Sequence, residues 1–136
     1  MKKTLYSLLF VGTFVAAYNV SFSQQSYKGD VSKVEDFLKE VYKNCPQYVN
    51  EEQITIAKDF LSRTIVHFMP KEDFNHYSLS EITHKNKCNP ELLYSVSSFN
   101  PSNFNPLKYH FNWYAEESRF YRLEGSDYVI EILPKK

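Results

Sequence analysis

The sequence predicts an α+β domain, with two N-terminal helices packed on a four- or five-stranded antiparallel sheet. Beyond residue 30, apolar residues first recur at three- and four-residue spacing and then give way to short alternating runs bounded by turn residues. Helices followed by strands is the order that produces segregated α and β layers. The chain has 136 residues, enough for one core, and no repeat or linker divides residues 24–136.

Residues 1–23 have the make-up of a secretory signal peptide. Lys2 and Lys3 give a positive start, Leu5 to Ala17 is apolar, and Ser21-Phe22-Ser23 supplies a small-x-small pattern before Gln24. The apolar run is shorter than the roughly 20 residues that a membrane-spanning helix needs. The expectation is an exported protein, periplasmic or secreted, that is cleaved before Gln24 and keeps no transmembrane anchor afterwards. Neither cysteine directly follows the apolar run, which argues against a lipoprotein.

Residues 24–29 are polar and predicted to be frayed. Ser32 and Glu35 form an S-x-x-E capping box. Behind it, Val31, Val34, Leu38, Val41, Tyr42 and Cys45 oppose Lys33, Lys39, Glu40 and Lys43. This is an amphipathic helix of about four turns, ending before Pro46. Asn50 with Gln53 repeats the capping geometry, and Ile54, Ala57, Phe60, Leu61 and Ile65 continue the apolar stripe of a second helix that runs to about Ser62. Thr64-Ile65-Val66 either extends that helix or opens a strand, and Pro70 ends both alternatives.

Leu79 to Thr83 is predicted as a short strand, Tyr94 to Phe99 as an edge strand and Lys108 to Tyr114 as another strand. Between Lys85 and Leu107, Asn89, Asn100 and Asn105 each precede a proline. That pairing starts turns, because proline keeps its neighbour out of the helical region while Asn bonds nearby backbone. Arg119–Leu123 and Tyr128–Leu133 flank Glu124-Gly125-Ser126-Asp127, a hairpin signal. Tyr128, Ile130 and Ile132 share one face of the last strand, and Val129, Glu131 and Leu133 share the other.

Composition narrows the function classes. Cleavage before Gln24 removes two of 16 basic residues and none of the 16 acidic ones, leaving a nearly neutral chain. Nucleic acid binding rests on many Lys and Arg contacts to phosphate, so nucleic acid is not an expected partner. No basic run survives to hold an anionic membrane surface. Gly29 and Gly125 are the remaining glycines, too few for a phosphate-cradling loop or a nucleophile elbow, and no cofactor is expected. In an exported chain, Cys45 and Cys88 are expected to form a disulfide, the alternative being a pair of free thiols.

The four histidines, His67, His76, His84 and His110, lack metal-ligand spacing, so no metal site is expected. The carboxylate pair Glu51-Glu52 suits the start of the second helix; Glu72-Asp73 and Glu116-Glu117 suit solvated loops. The Asn/Pro segment from Asn100 to Tyr109 is rigid and aromatic, a combination that lowers the entropy lost on binding. A ligand-binding set of rings follows: Tyr94, Phe99, Phe104, Tyr109, Trp113 and Tyr114. The opposing structural expectation has Phe104 and Leu107 covering a sheet edge, and Trp113 in the core with its N–H bonded.

The run Asn105-Pro106-Leu107-Lys108-Tyr109, then Phe111, Trp113-Tyr114 and the closing hairpin, resembles small exported proteins of uncharacterised families from Bacteroidota. The export signal ending Ser21-Phe22-Ser23-Gln24 is similar to signals found there. The resemblance covers the C-terminal third and the signal, and carries no activity or site residue with it. The expected layout also looks like cystatin and NTF2-like architectures, a likeness that does not fix function.

The functional expectation is a non-enzymatic binding or interaction module of the cell envelope or secretome, its partner a protein, peptide or glycan. The alternatives are a small envelope hydrolase using His76 or His84 with a nearby carboxylate, or a purely structural envelope protein.

Overall fold

The first apolar stripe folds in two pieces. In this computed structural model, which describes residues 25–70, 76–92 and 99–136, Val31–Lys33 form a 3₁₀ turn and α1 spans Val34–Val41. Asp30 caps the turn, its carboxylate accepting from the Ser32 amide at 3.0 Å and the Ser32 hydroxyl at 2.6 Å. The expected Ser32–Glu35 capping box is therefore replaced by a cap two residues earlier, and α1 leaves Lys33 without a side-chain cap. Val34, Leu38 and Val41 are each 1% exposed, the buried stripe that the spacing predicts. A second 3₁₀ turn, Pro46–Tyr48, leads to α2, Glu51–Ser62. There the predicted cap holds, with Asn50 Oδ1 accepting from the Gln53 amide at 2.9 Å.

Five strands follow the order β1-β2-β5-β4-β3, with β1 at Ser26–Lys28, β2 at Thr64–Phe68, β3 at Tyr77–Ser78, β4 at Arg119–Arg122 and β5 at Tyr128–Ile132. The β-branched run after α2 is thus a strand, held to the helix end by Thr64 Oγ1 donating to the Phe60 carbonyl at 3.0 Å. The segment expected to fray instead forms β1, because Tyr27 packs against the core and pairs opposite Val66. The next residue has to be glycine: a Cβ at Gly29 would lie 2.2 Å from the Leu61 carbonyl oxygen.

The sheet is mixed rather than antiparallel throughout, since β3 pairs parallel with β4. The strand expected at Leu79–Thr83 is displaced to Tyr77–Ser78, and Leu79–Glu81 closes into a 3₁₀ turn. Polar bonding explains the shift. The turn brings the hydroxyls of Ser78 and Ser80 onto one Glu124 carboxylate oxygen, while Leu79 enters the core. The strand expected at Lys108–Tyr114 is absent as well. Pro106–Lys108 is a 3₁₀ turn, Tyr109 makes one bridge to His84, and Asn112 Oδ1 turns the chain by accepting from the Tyr114 amide at 3.0 Å. The Tyr94–Phe99 strand falls outside the described residues apart from Phe99.

The closing hairpin forms as the sequence predicts, with Gly125 at φ +71° in its turn. β5 is paired along both edges, with β2 and β4, and Val129 and Ile130 on its opposite faces are each 0% exposed. On the Val129 side, His67 and Glu131 meet at 2.7 Å.

All three Asn-Pro steps make the predicted side-chain turn. The Oδ1 of Asn89, Asn100 and Asn105 accepts the amide two residues on, at 3.2, 3.0 and 3.0 Å respectively. Two of these side chains do a second job at α1. Asn89 Nδ2 donates to the Glu40 carbonyl at 2.7 Å, and Asn105 Nδ2 to the Phe37 carbonyl at 3.3 Å. They thereby fix the Asn/Pro segment to a helix end that has carbonyls to satisfy.

Two stability predictions follow from this geometry. Gly29→Ala drives a Cβ into backbone and should destabilise the fold by about 2 kcal/mol in urea titrations, as overpacking typically does. Replacing both Cys45 and Cys88 with alanine opens a 43-residue separation and should cost about 4 kcal/mol in the same assay.

Candidate functional site

A cleft of about 370 Å³ opens where the end of α1 faces the segment from His84 to Cys88. Three constraints shape it. The Cys45–Cys88 disulfide, with Cα atoms 5.5 Å apart, joins the residues after α1 to that segment, and the Asn44 amide donates to the Cys88 carbonyl at 2.9 Å. The other end of the segment lies along residues 108–110. There Lys85 N donates to the Lys108 carbonyl at 2.7 Å, and His110 N to the Thr83 carbonyl at 2.9 Å. Pro46 starts the 3₁₀ turn that sets Tyr48 against Tyr42, with ring centres 5.8 Å apart and planes tilted by 53°.

Basic and aromatic side chains line this space. His84, Lys85, Lys87 and His110 border it together with Tyr42, Tyr48 and Gln53, and no carboxylate lines it among the described residues. Lys85 is half-buried, its Nζ 4.3 Å from the centre of the Trp113 ring. Phe60 already stacks on Trp113 at 4.6 Å and 10°, so the ammonium takes the other face. Burial pushes Lys85 down to about 8. Burial also lowers His84, and lowers His110 with a further contribution from the charge on Lys85. Burial, and then the neighbouring Tyr48, raises the Tyr42 phenol.

The predicted ring set does not converge on this cleft. Tyr109 is buried, and Phe104 and Phe99 are half-buried in a contact chain leading outward from it, at 5.8 and 5.5 Å between centres. Trp113 stacks on Phe60, with its Nε1 buried and without a hydrogen-bond partner among the described residues. The partner expected for that N–H is thus not seen there. Tyr114 is 61% exposed, with the Lys135 ammonium 4.7 Å from its ring centre. Tyr94 lies outside the described residues.

Of the histidines, His84 and His110 come together at the cleft, whereas His67 pairs with Glu131. His84 meets the Tyr109 ring edge-on at 5.3 Å, and His76 is exposed just before β3. Asp73, the acid closest to His76 in sequence, is outside the described residues. No group of three or more metal-ligating side chains forms among the described residues.

Sequence reasoning missed Tyr42, Tyr48, Lys85 and His110 as a group. The signal was present in the cysteines. A bond between positions 45 and 88 draws the tyrosines flanking one cysteine towards the basic residues preceding the other.

The burial of Lys85 has a measurable consequence. Its folded value lies below the ordinary 10.5, so the unfolded chain holds more protons between about pH 8 and 10.5. The contribution of Lys85 to stability should therefore rise with pH across that window. Urea titrations should show that rise diminished in Lys85→Met relative to the natural chain.

Comparison with protein-family models, with curated proteins and with solved structures finds no match for this chain.

Proposed function

We propose that this chain is an exported, non-enzymatic binding domain of the cell envelope or secretome, and that the cleft beside the disulfide is its recognition site. The observation that carries the reading is the cleft itself: about 370 Å³, walled by aromatic rings, with several polar groups converging on it. That combination is the usual make-up of a small-ligand site. A free small molecule suits it, as does the terminal group of a peptide or glycan.

The export reading draws support from the disulfide, a bond that persists in oxidising compartments. No helix among the described residues is long and apolar enough to cross a membrane. A hydrolase built on His84 would want an acid beside the imidazole, and the cleft lining offers none among the described residues. The rings first singled out serve mainly as packing in this reading. Trp113 matters to the site because it holds Lys85.

Native mass spectrometry of the protein recovered from its own envelope or culture fluid tests both parts. The expected species begins at Gln24, contains the disulfide and carries a small-molecule adduct that Tyr48→Ser loses. An unprocessed chain confined to the cytoplasm would overturn export. A processed chain without an adduct, whose cleft resonances also ignore a fragment library in solution, would overturn the site.

A further inference from the structure

We infer that the cleft takes a small aryl anion, a carboxylate or phosphate carried on a flat ring, an assignment that rests on the cleft being the recognition site. The argument starts from the imbalance of its lining. Lys85 and Lys87 bring ammonium groups, His84 and His110 bring imidazoles, and the Tyr42 and Tyr48 hydroxyls can donate. Gln53 and Asn86 have amides that can donate as well as accept. Among the described lining residues there is no side chain that can only accept.

Two carboxylates close in sequence to lining residues, Glu40 and Glu91, are engaged elsewhere. Glu40 meets Lys108 at 2.6 Å and the Asn105 amide at 3.0 Å, and Glu91 meets Lys43 at 3.2 Å. Lys85 is a half-buried cation over a ring face, and it lines the cleft with other bases and two phenols. An anion entering the cleft would supply the charge partner that a desolvated ammonium lacks there.

The aromatic half of the assignment comes from the tyrosines. Tyr48 is 51% exposed yet held at a fixed angle to Tyr42 by the turn that Pro46 starts. Together the tilted rings make a corner suited to a flat apolar body, and Val41 also lines the cleft. The volume lies near the lower end of small-ligand sites, which fits one ring with one charged substituent better than an extended chain.

The test is an NMR titration of the isotope-labelled, oxidised protein with five defined probes: benzoate, phenyl phosphate, benzyl alcohol, benzylammonium and inorganic phosphate. Benzoate or phenyl phosphate should shift His84, Lys85, His110 and both tyrosines to saturation. Benzyl alcohol and inorganic phosphate should each bind at least about tenfold more weakly, the loss expected when one charge-assisted contact or one buried ring is missing. Lys85→Met, which keeps the apolar stem on Trp113, should weaken the aryl anions by a similar factor, and His110→Gln provides a second variant if the first unfolds.

If benzyl alcohol or benzylammonium saturates the same residues as tightly as the anions do, the anion assignment fails and the recognition site stands. Equal binding of inorganic phosphate and phenyl phosphate removes the ring from the assignment. If no probe shifts the cleft, the aryl-anion assignment is overturned. The fragment library and the adduct then decide separately whether the cleft is a site at all.

Discussion

The stacked face between Phe60 and Trp113 is the contact on which the rest of this structure depends. Phe60 is fully buried at the end of α2, and Phe111 also reaches it, with ring centres 6.2 Å apart. The same junction is closed by Arg63. Its guanidinium donates to Asp59, to the Leu133 carbonyl at 2.9 Å and to the Trp113 carbonyl at 2.7 Å. A helix end, an irregular loop and the end of the last strand thus meet on one cation and one ring pair. Because the outer face of Trp113 carries Lys85, the packing that orders the core also places a charge in the cleft. Core and cleft share one ring here.

The second constraint is local to the end of α1. A helix terminus leaves carbonyls to be satisfied, and this one meets the need with partners distant in sequence. Asn89, Asn105 and the disulfide all anchor there, bringing two loop segments onto the few residues after Phe37. The cleft is the space left between these anchors. Side-chain bonds to backbone and the disulfide hold its walls, and they set an irregular segment carrying His84, Lys85 and Lys87 beside His110.

Much of the fold was legible in the sequence, and the parts that were not share a cause. α2, the disulfide, the Asn-Pro turns and the closing hairpin rest on short-range signals: a cap, a cysteine pair, a side chain reaching two residues on, a glycine at positive φ. β1 and β3 have no such signal. Tyr27 becomes a strand residue because β2 offers an edge, and Tyr77–Ser78 pairs parallel to β4 because Leu79, Ser80 and Glu124 fix the turn beside it. The candidate site was less legible. Aromatic enrichment drew attention to Phe99, Phe104, Tyr109 and Trp113, whose rings are consumed largely in packing. The residues that line the cleft are unremarkable in sequence and become neighbours through the 45–88 bond and the backbone bonds between residues 83–85 and 108–110.

The Asn-Pro steps also bear on how the protein ages. Asparagine deamidates when the amide nitrogen of the following residue attacks the side-chain carbonyl and closes a five-membered imide. Proline has no N–H to give up, so that route is closed at Asn89, Asn100 and Asn105. Conversion to Asp would do harm at Asn89 and Asn105, which need the amide group as a donor to α1 as well as the oxygen for their turns. The proline that shapes each turn therefore also protects its chemistry.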